Sequence, residues 1–247
     1  MSRIDSETAA RLAQRWSALE GLELLDAAIR GPEAVAIAAL TSFGTESAVL
    51  LDLVARIDPG LPVIVLDTGE LFDETTDYIR TLTAHLGLTR VTVSGPTEAE
   101  RREAETLWET DADRCCGLRK VAPLIRAAAP FDALIDGRRR AHGFERAGMP
   151  TVEVSGGVLK LSPLAGWSDA DIEAAFAERG LPRHPLEQHG YRSIGCWPCT
   201  RPVKPGEPAR AGRWAGAAKT ECGIHTRSLA PDAAASPLEP GNPNGLS

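Results

Sequence analysis

Five cysteines are the residues whose types and spacing could do chemistry here. Cys115 and Cys116 are adjacent, Cys196 and Cys199 flank Trp197-Pro198, and Cys222 stands alone near the end of the chain. The two pairs are far enough apart for a fold to bring them together, and four thiolates suit tetrahedral zinc or an iron-sulfur cluster. Structural zinc favours two to four residues between ligands, so the adjacent pair tips the balance toward a cluster. A thioredoxin-like redox pair at 196 and 199 would want a helix starting at the first cysteine, and Pro202 and Pro205 work against that helix. Cys222, left over after four ligands, is a candidate nucleophile in Lys219-Thr220-Glu221-Cys222-Gly223-Ile224-His225. Lys219 and His225 would favour its thiolate and Glu221 would oppose them; an unreactive surface thiol is the alternative.

Positive charge gathers near those cysteines. The chain is acidic overall, with a net charge of -7, which argues against a nucleic-acid partner because phosphate neutralisation needs a broad basic surface. Yet Arg114, Arg119 and Lys120 surround the first pair, Lys204, Arg210, Arg213, Lys219 and Arg227 surround the last cysteines, and Arg138-Arg139-Arg140 form a cluster of their own. Such patches on an acidic chain suit a small anionic ligand. Three loops could receive it. Ser42-Phe43-Gly44-Thr45-Glu46-Ser47 offers hydroxyls and backbone N–H groups at the start of a helical pattern, though short Gly-Ser turns are frequent. Leu66-Asp67-Thr68-Gly69 would present backbone and a hydroxyl beside an adenosine moiety, or form a plain strand end. Gly137 to Gly143 sets Arg138, Arg139 and Arg140 after a buried strand, where guanidiniums can hold phosphate or sulfate or simply line a solvated loop.

The elements that must position these loops follow from periodicity. Residues 7 to 30 carry Leu12, Trp16, Leu19, Leu24 and Ile29 at roughly helical spacing, so residues 1–30 form an N-terminal helical segment. Apolar runs at Val35–Leu40, Val63–Leu66, Val91–Val93 and Ala133–Ile135 alternate with helical patterns, including one from Ala48 to Ile57 and one to about His85 that Asp73 would cap. Strands alternating with helices predict an α/β fold with a parallel sheet flanked by helices, occupying residues 31–228. Val152–Val154 and Val158–Leu161 read as a hairpin, and Ser168 caps a helix from Asp169 to Arg179. Beyond Gly180 the sequence predicts a loop-rich segment, with a catalytic stretch over 205–228 and a disordered tail over 229–247. Hydrophobic content of 43% against 25% charged is that of a soluble globular chain. No apolar run is long enough for a bilayer and the start of the chain lacks a signal-peptide core, so no membrane association and a cytoplasmic location are expected.

Taken together, these segments resemble the phosphoadenylylsulfate and adenylylsulfate reductase family over most of residues 35 to 227. Ser42–Ser47 is similar to its modified pyrophosphate (PP) loop, Leu66–Gly69 to its nucleotide-binding tetrapeptide, and Glu221-Cys222-Gly223-Ile224-His225 to the Glu-Cys-Gly-Leu-His element bearing its catalytic cysteine, with Ile224 as a departure. The resemblance implies an adenine-nucleotide alpha hydrolase-like fold. It implies thioredoxin-dependent reduction of adenosine 5'-phosphosulfate (adenylylsulfate) to sulfite and AMP through a Cys222 S-sulfonate, in sulfate assimilation and cysteine biosynthesis. The double cysteine pair resembles the branch binding a [4Fe-4S] cluster at Cys115, Cys116, Cys196 and Cys199, which prefers the substrate without a 3'-phosphate. The 3'-phosphorylated substrate is the alternative. Implied substrate contacts are Ser42, Phe43, Gly44, Thr45, Ser47, Leu66, Thr68, Gly69, Arg138, Arg140, Arg210 and Arg213, with Lys120 between cluster and substrate and His225 assisting Cys222. An external dithiol such as thioredoxin is the implied partner, and homo-oligomers are common in the family. The related ATP pyrophosphatases tend to carry Gly at the place of Phe43 and Asp at the place of Glu46, which makes ATP-dependent adenylation or thiolation the weaker enzymatic reading.

Overall fold

A computed structural model of the chain describes residues 4–33, 35–143, 146–215 and 219–225. The tail expected over 229–247 and the last residues of the 205–228 stretch lie outside them. Six strands form one sheet: β1 (Ile37–Thr41), β2 (Val63–Leu66), β3 (Val91–Ser94), β4 (Ala133–Ile135), β5 (Val152–Ser155) and β6 (Val158–Leu161). Their order across the sheet is β3-β2-β1-β4-β6-β5, parallel throughout except for the antiparallel β5–β6 hairpin at one edge.

Alternation along β1 explains why both faces of the sheet are covered. Ile37 and Ala39 point into one apolar cluster, Ala38 and Leu40 into the other, and all four are buried, the burial expected of a central parallel strand. The first face packs against α1 (Ser6–Trp16), α2 (Gly21–Ile29), α3 (Ser47–Ile57), α4 (Asp73–Leu86) and the later helix Asp169–Arg179, through Leu12, Leu24, Leu51, Leu82 and Phe176. The helices expected within residues 7 to 30 therefore exist and belong to the same core. Asp73, expected as a cap, is the first residue of α4; the N-cap is Phe72 with no side-chain bond, and Asp73 and Glu74 lie in the first turn, where acidic charge meets the positive end of the helix. Ser168 does cap its helix, its hydroxyl accepting from the Asp171 N–H in a reciprocal capping box.

The opposite face is covered by one helical run with an irregularity that spacing did not announce. After α5 (Glu98–Glu103) and α6 (Leu107–Thr110), α7 (Ala112–Cys116) passes through a π-helical turn, Gly117–Val121, into α8 (Ala122–Ala128). The widened turn keeps Arg119 and Lys120, two consecutive cations, both buried; such turns occur disproportionately at functional sites. The helix Asp169–Arg179 is α9. Beyond it the chain is mostly loop, as expected, with 3-10 turns at Pro185–His189 and Trp197–Cys199. No described helix is long and apolar enough to cross a membrane.

Candidate active site

In an open α/β sheet ligands bind beyond the carboxyl ends of the strands, where the strand order reverses. Here the reversal lies between β1 and β4, which pair with each other while β1 also pairs β2. A cavity opens at that point, lined by the loop after β1, the ends of β2 and β4, and the segments 192–196, 209–214 and 221–225.

The loop after β1 contributes Ser42, Gly44, Thr45, Glu46 and Ser47 to the cavity. Its shape is fixed by local bonds: the Phe43 N–H donates to Thr41 Oγ1 at 3.1 Å, the Ser47 N–H to the Gly44 carbonyl at 3.1 Å, and Thr45 Oγ1 to the Arg192 carbonyl at 3.1 Å. Phe43 does not line the cavity; it takes a left-handed φ of 48° and sinks its ring into the core. From the second loop Leu66 and Thr68 reach the cavity. Gly69 does not: it turns away at φ 74°, its N–H held by Asp67 Oδ1 at 2.8 Å. Arg119 ties this loop to the π-helical turn by donating to the Thr68 carbonyl at 2.7 Å and pairing with Glu70 at 3.1 Å.

The three consecutive arginines separate. Arg138 lines the cavity, but its guanidinium is engaged by both oxygens of Asp136 and by Glu153 at 2.9 Å. Arg139, fully buried, holds Glu46, the Trp167 carbonyl and Asp169. Arg140, expected among the substrate contacts, points the other way: it donates to the Met149 carbonyl, to Thr151 Oγ1 and to Glu20, so it fastens the N-terminal helices and leaves the ligand to others.

The last segment is docked over the cavity by opposite charges. Glu221 accepts two bonds from Arg146, at 2.6 and 2.9 Å, and lies 3.5 Å from Arg210. Those two guanidiniums outweigh burial and hold the Glu221 carboxyl below its usual value. Lys219 pairs with Asp113 beside the first cysteine pair, Ile224 packs on the apolar cluster under α8, and the His225 carbonyl accepts from Lys160 at 2.6 Å. His225 is not the cation expected beside Cys222. Burial pushes it down to about 3, against the pull of Asp136 3.6 Å away, so the ring is neutral at neutral pH.

Cys222 and Cys196 line the cavity together with Lys120, Arg210, Arg213 and Trp214. Burial works against the Lys120 ammonium, but the charge that Cys196, Cys222 and Cys116 can carry outweighs it and holds the group above its ordinary value. Burial and the neighbouring Arg146 push Arg210 down to about 10. Arg213 lies 4.7 Å over the Trp214 ring, with Lys219 and Lys120 on the same ring at 5.5 and 6.0 Å. Its fork rests against Gly195, where an added Cβ would come within 2.1 Å of the guanidinium. Positive charge therefore converges on the space in front of Cys222.

The two cysteine pairs lie within electrostatic reach of each other. Cys115 feels the charges of Cys196 and Cys199, and Cys116 those of Cys222 and Cys196. Burial pushes the Cys116 thiol up to about 12, against Lys120. Thr68 Oγ1 lies 3.2 Å from the Cys196 sulfur. No group of three or more His, Cys, Asp or Glu among the described residues is arranged to hold a metal ion, while the donor chemistry, soft thiols at the end of α7 and around the turn Trp197–Cys199, fits an iron-sulfur group. Residues that the sequence did not single out are His142, Arg146, Arg192 and Trp214, all on the cavity wall. Their signal is purely spatial.

Residues 36–202 match the phosphoadenosine phosphosulfate reductase domain. An adenosine 5'-phosphosulfate reductase of Mesorhizobium japonicum is 46% identical over 224 residues, covering 90% of this chain and 88% of that one. A phosphoadenosine 5'-phosphosulfate reductase of Gloeobacter violaceus is 38% identical over 232 residues, covering 90% and 95%. Among solved structures, the phosphoadenylyl-sulfate reductase of Candida auris in a phosphate complex superimposes with a TM-score of 0.66 at 28% identity, covering 80% of this chain and 97% of that one.

Proposed function

The chain belongs to the phosphoadenosine phosphosulfate reductase family, and from that premise we propose that it reduces adenosine 5'-phosphosulfate to sulfite and AMP with Cys222 as nucleophile. The observation that carries this reading is the convergence of Lys120, Arg210 and Arg213 on a cavity that Cys222 shares with the loop Ser42–Ser47. The preference for the substrate without a 3'-phosphate rests on relatives so named at 46% and 47% identity.

The nucleotide lies across the carboxyl ends of β1 and β2, against the hydroxyls of Ser42, Thr45, Ser47 and Thr68. Lys120, Arg210 and Arg213 neutralise the phosphosulfate, a charge placement that favours the transition state over water. The Cys222 thiolate attacks the sulfur of the sulfate group; the S–O bond to the phosphate breaks, AMP departs with that electron pair, and a cysteine S-sulfonate remains. A dithiol such as thioredoxin then attacks the Cys222 sulfur. Sulfite leaves with the bond pair, and the second thiol of the partner resolves the mixed disulfide, so the dithiol supplies both electrons. Cys115, Cys116, Cys196 and Cys199 would hold a [4Fe-4S] cluster, whose thiolate-ligated negative charge the Lys120 ammonium would offset beside the sulfate. His225, neutral and buried beside Asp136, positions the segment that bears Cys222.

The test is a sulfite assay on anaerobically purified protein with each sulfonucleotide and a dithiol, alongside iron and sulfide analysis and mass spectrometry of the Cys222 peptide in a single turnover. A sulfonate on that peptide, absent from Cys222→Ser, is expected. Sulfite formation by Cys222→Ser at the parental rate would overturn the assignment.

A further inference from the structure

One line of polar contacts runs from the buried floor of the site to the segment bearing Cys222, and its middle member has no role in the chemistry above. Arg139, buried and fastened to the Trp167 carbonyl and Asp169, holds the Glu46 carboxylate. Glu46 Oε2 lies 2.9 Å from His142 Nε2; His142 Nδ1 lies 3.1 Å from Arg146 Nη1; the other face of the Arg146 fork donates two bonds to Glu221, which immediately precedes Cys222.

The polarity of this line is set by elementary chemistry. An arginine only donates, so His142 Nδ1 must accept from it, and the ring proton then sits on Nε2, aimed at a carboxylate that only accepts. The contact thus fixes which ring nitrogen accepts and which donates. Glu46 is suited to receive it: although burial works to raise the carboxyl, its bonds to His142 and Arg139 bring it down to about 2, so it stays ionised. Each link has one donor sense, from Arg146 to His142 to Glu46, and Arg146 is left with its remaining N–H groups facing Glu221. Glu46 also belongs to the loop Ser42–Ser47 that opens α3.

We propose that His142 is a positioning residue that fixes the Arg146 fork against Glu221 and so couples the loop after β1 to the seating of the Cys222 segment. The inference rests on the proposed reductase reading for its catalytic consequence, but the seating itself is measurable without turnover. Removing the ring acceptor leaves Arg146 tied only at the Glu221 end among the described contacts, and the guanidinium is then free to rotate with that carboxylate.

The test compares wild type with His142→Ala and His142→Gln as anaerobically purified protein. The rate at which a small alkylating reagent modifies Cys222, read by mass spectrometry of its peptide, should rise about five-fold or more in His142→Ala; kcat should fall about ten-fold with KM for adenosine 5'-phosphosulfate changed less than about three-fold. Glutamine offers one acceptor oxygen and one N–H donor on a side chain of similar reach, so His142→Gln should return both readouts to within about three-fold of wild type. Alkylation and kcat unchanged in His142→Ala, a rise in KM alone, or His142→Gln as impaired as His142→Ala would each overturn the proposal. Should His142→Ala not fold, His142→Asn replaces it, since its amide is one methylene too short to span Glu46 and Arg146; equal behaviour of the Gln and Asn variants would then refute it. Failure of the reductase reading itself is distinguishable, because wild type would make no sulfite whatever the alkylation rates.

Discussion

Arg213 illustrates how much of this site depends on one side chain finding a bare patch of backbone. Its guanidinium lies where a Cβ on residue 195 would stand, between Gly195 and the face of Trp214, and donates to the Ile194 carbonyl at 2.9 Å. Gly195→Ala should therefore displace a flexible cation and leave the backbone intact. Loss of one charge-assisted contact is worth about 1.5–3 kcal/mol, or roughly a 10- to 100-fold loss in kcat/KM, with thermal stability nearly unchanged; steady-state kinetics beside a melting curve separate the two. Arg140→Met should do the reverse, keeping kcat/KM within about two-fold while lowering stability by roughly 1–2 kcal/mol through its lost bonds to Met149, Thr151 and Glu20. Sequence could identify Arg138-Arg139-Arg140 as a basic cluster but not assign its members, because three successive residues after a strand point in three directions, and the partners of Arg139 and Arg140, Glu46 and Glu20, are distant in sequence. The cysteines were legible for the opposite reason: their residue type restricts what they can do, wherever the chain carries them.

At the level of elements, the strands and helices were readable wherever one face had to be apolar, and unreadable where geometry departs from a regular period. The π-helical turn at Gly117–Val121 is such a place: no hydrophobic repeat marks it, yet it delivers Lys120 to the cavity and Arg119 to the Thr68 carbonyl. His184 is another. It links α4 to the loop region, with Nδ1 accepting from the Leu186 N–H at 3.1 Å, so that Nε2 carries the proton toward Thr75 Oγ1 at 3.0 Å. Burial pushes its pKa down to about 4, whereas an unfolded histidine titrates near 6.5. Below pH 6.5 the unfolded chain takes up a proton that the folded chain refuses, so this contribution is whole at neutral pH and shrinks as pH falls toward 4. By pH 5 the loss is about 2 kcal/mol. Urea unfolding at pH 7.5 and pH 5 should show it as the part of the pH dependence that His184→Gln removes; identical slopes in the two proteins would contradict the assignment.

For the whole molecule, the cavity is a joint between two bodies of chain that sequence could locate but not assemble. Its floor is the sheet edge at β1, β2 and β4, and its cover is residues 192–215 and 219–225, held by Arg146–Glu221, Lys219–Asp113, Ile224 on the apolar cluster and Lys160 at the His225 carbonyl. A ligand touching both bodies stabilises their closed arrangement by mass action. At about 100 times its Kd it should add about 2.7 kcal/mol, which for a chain of this size corresponds to a rise of roughly 5–10 °C in the melting midpoint. In the proposed reading adenosine 5'-phosphosulfate would reach Lys120, Arg210 and Arg213 as well as the nucleotide loops, so it should protect the 205–225 segment from proteolysis more than AMP does at equal saturation. ATP should protect less than either, because the cover already sits over the turn where a longer phosphate chain would run. If ATP gave the largest shift and released pyrophosphate, the cover would have to be a lid for adenylation chemistry, and the cations around Cys222 would need another explanation.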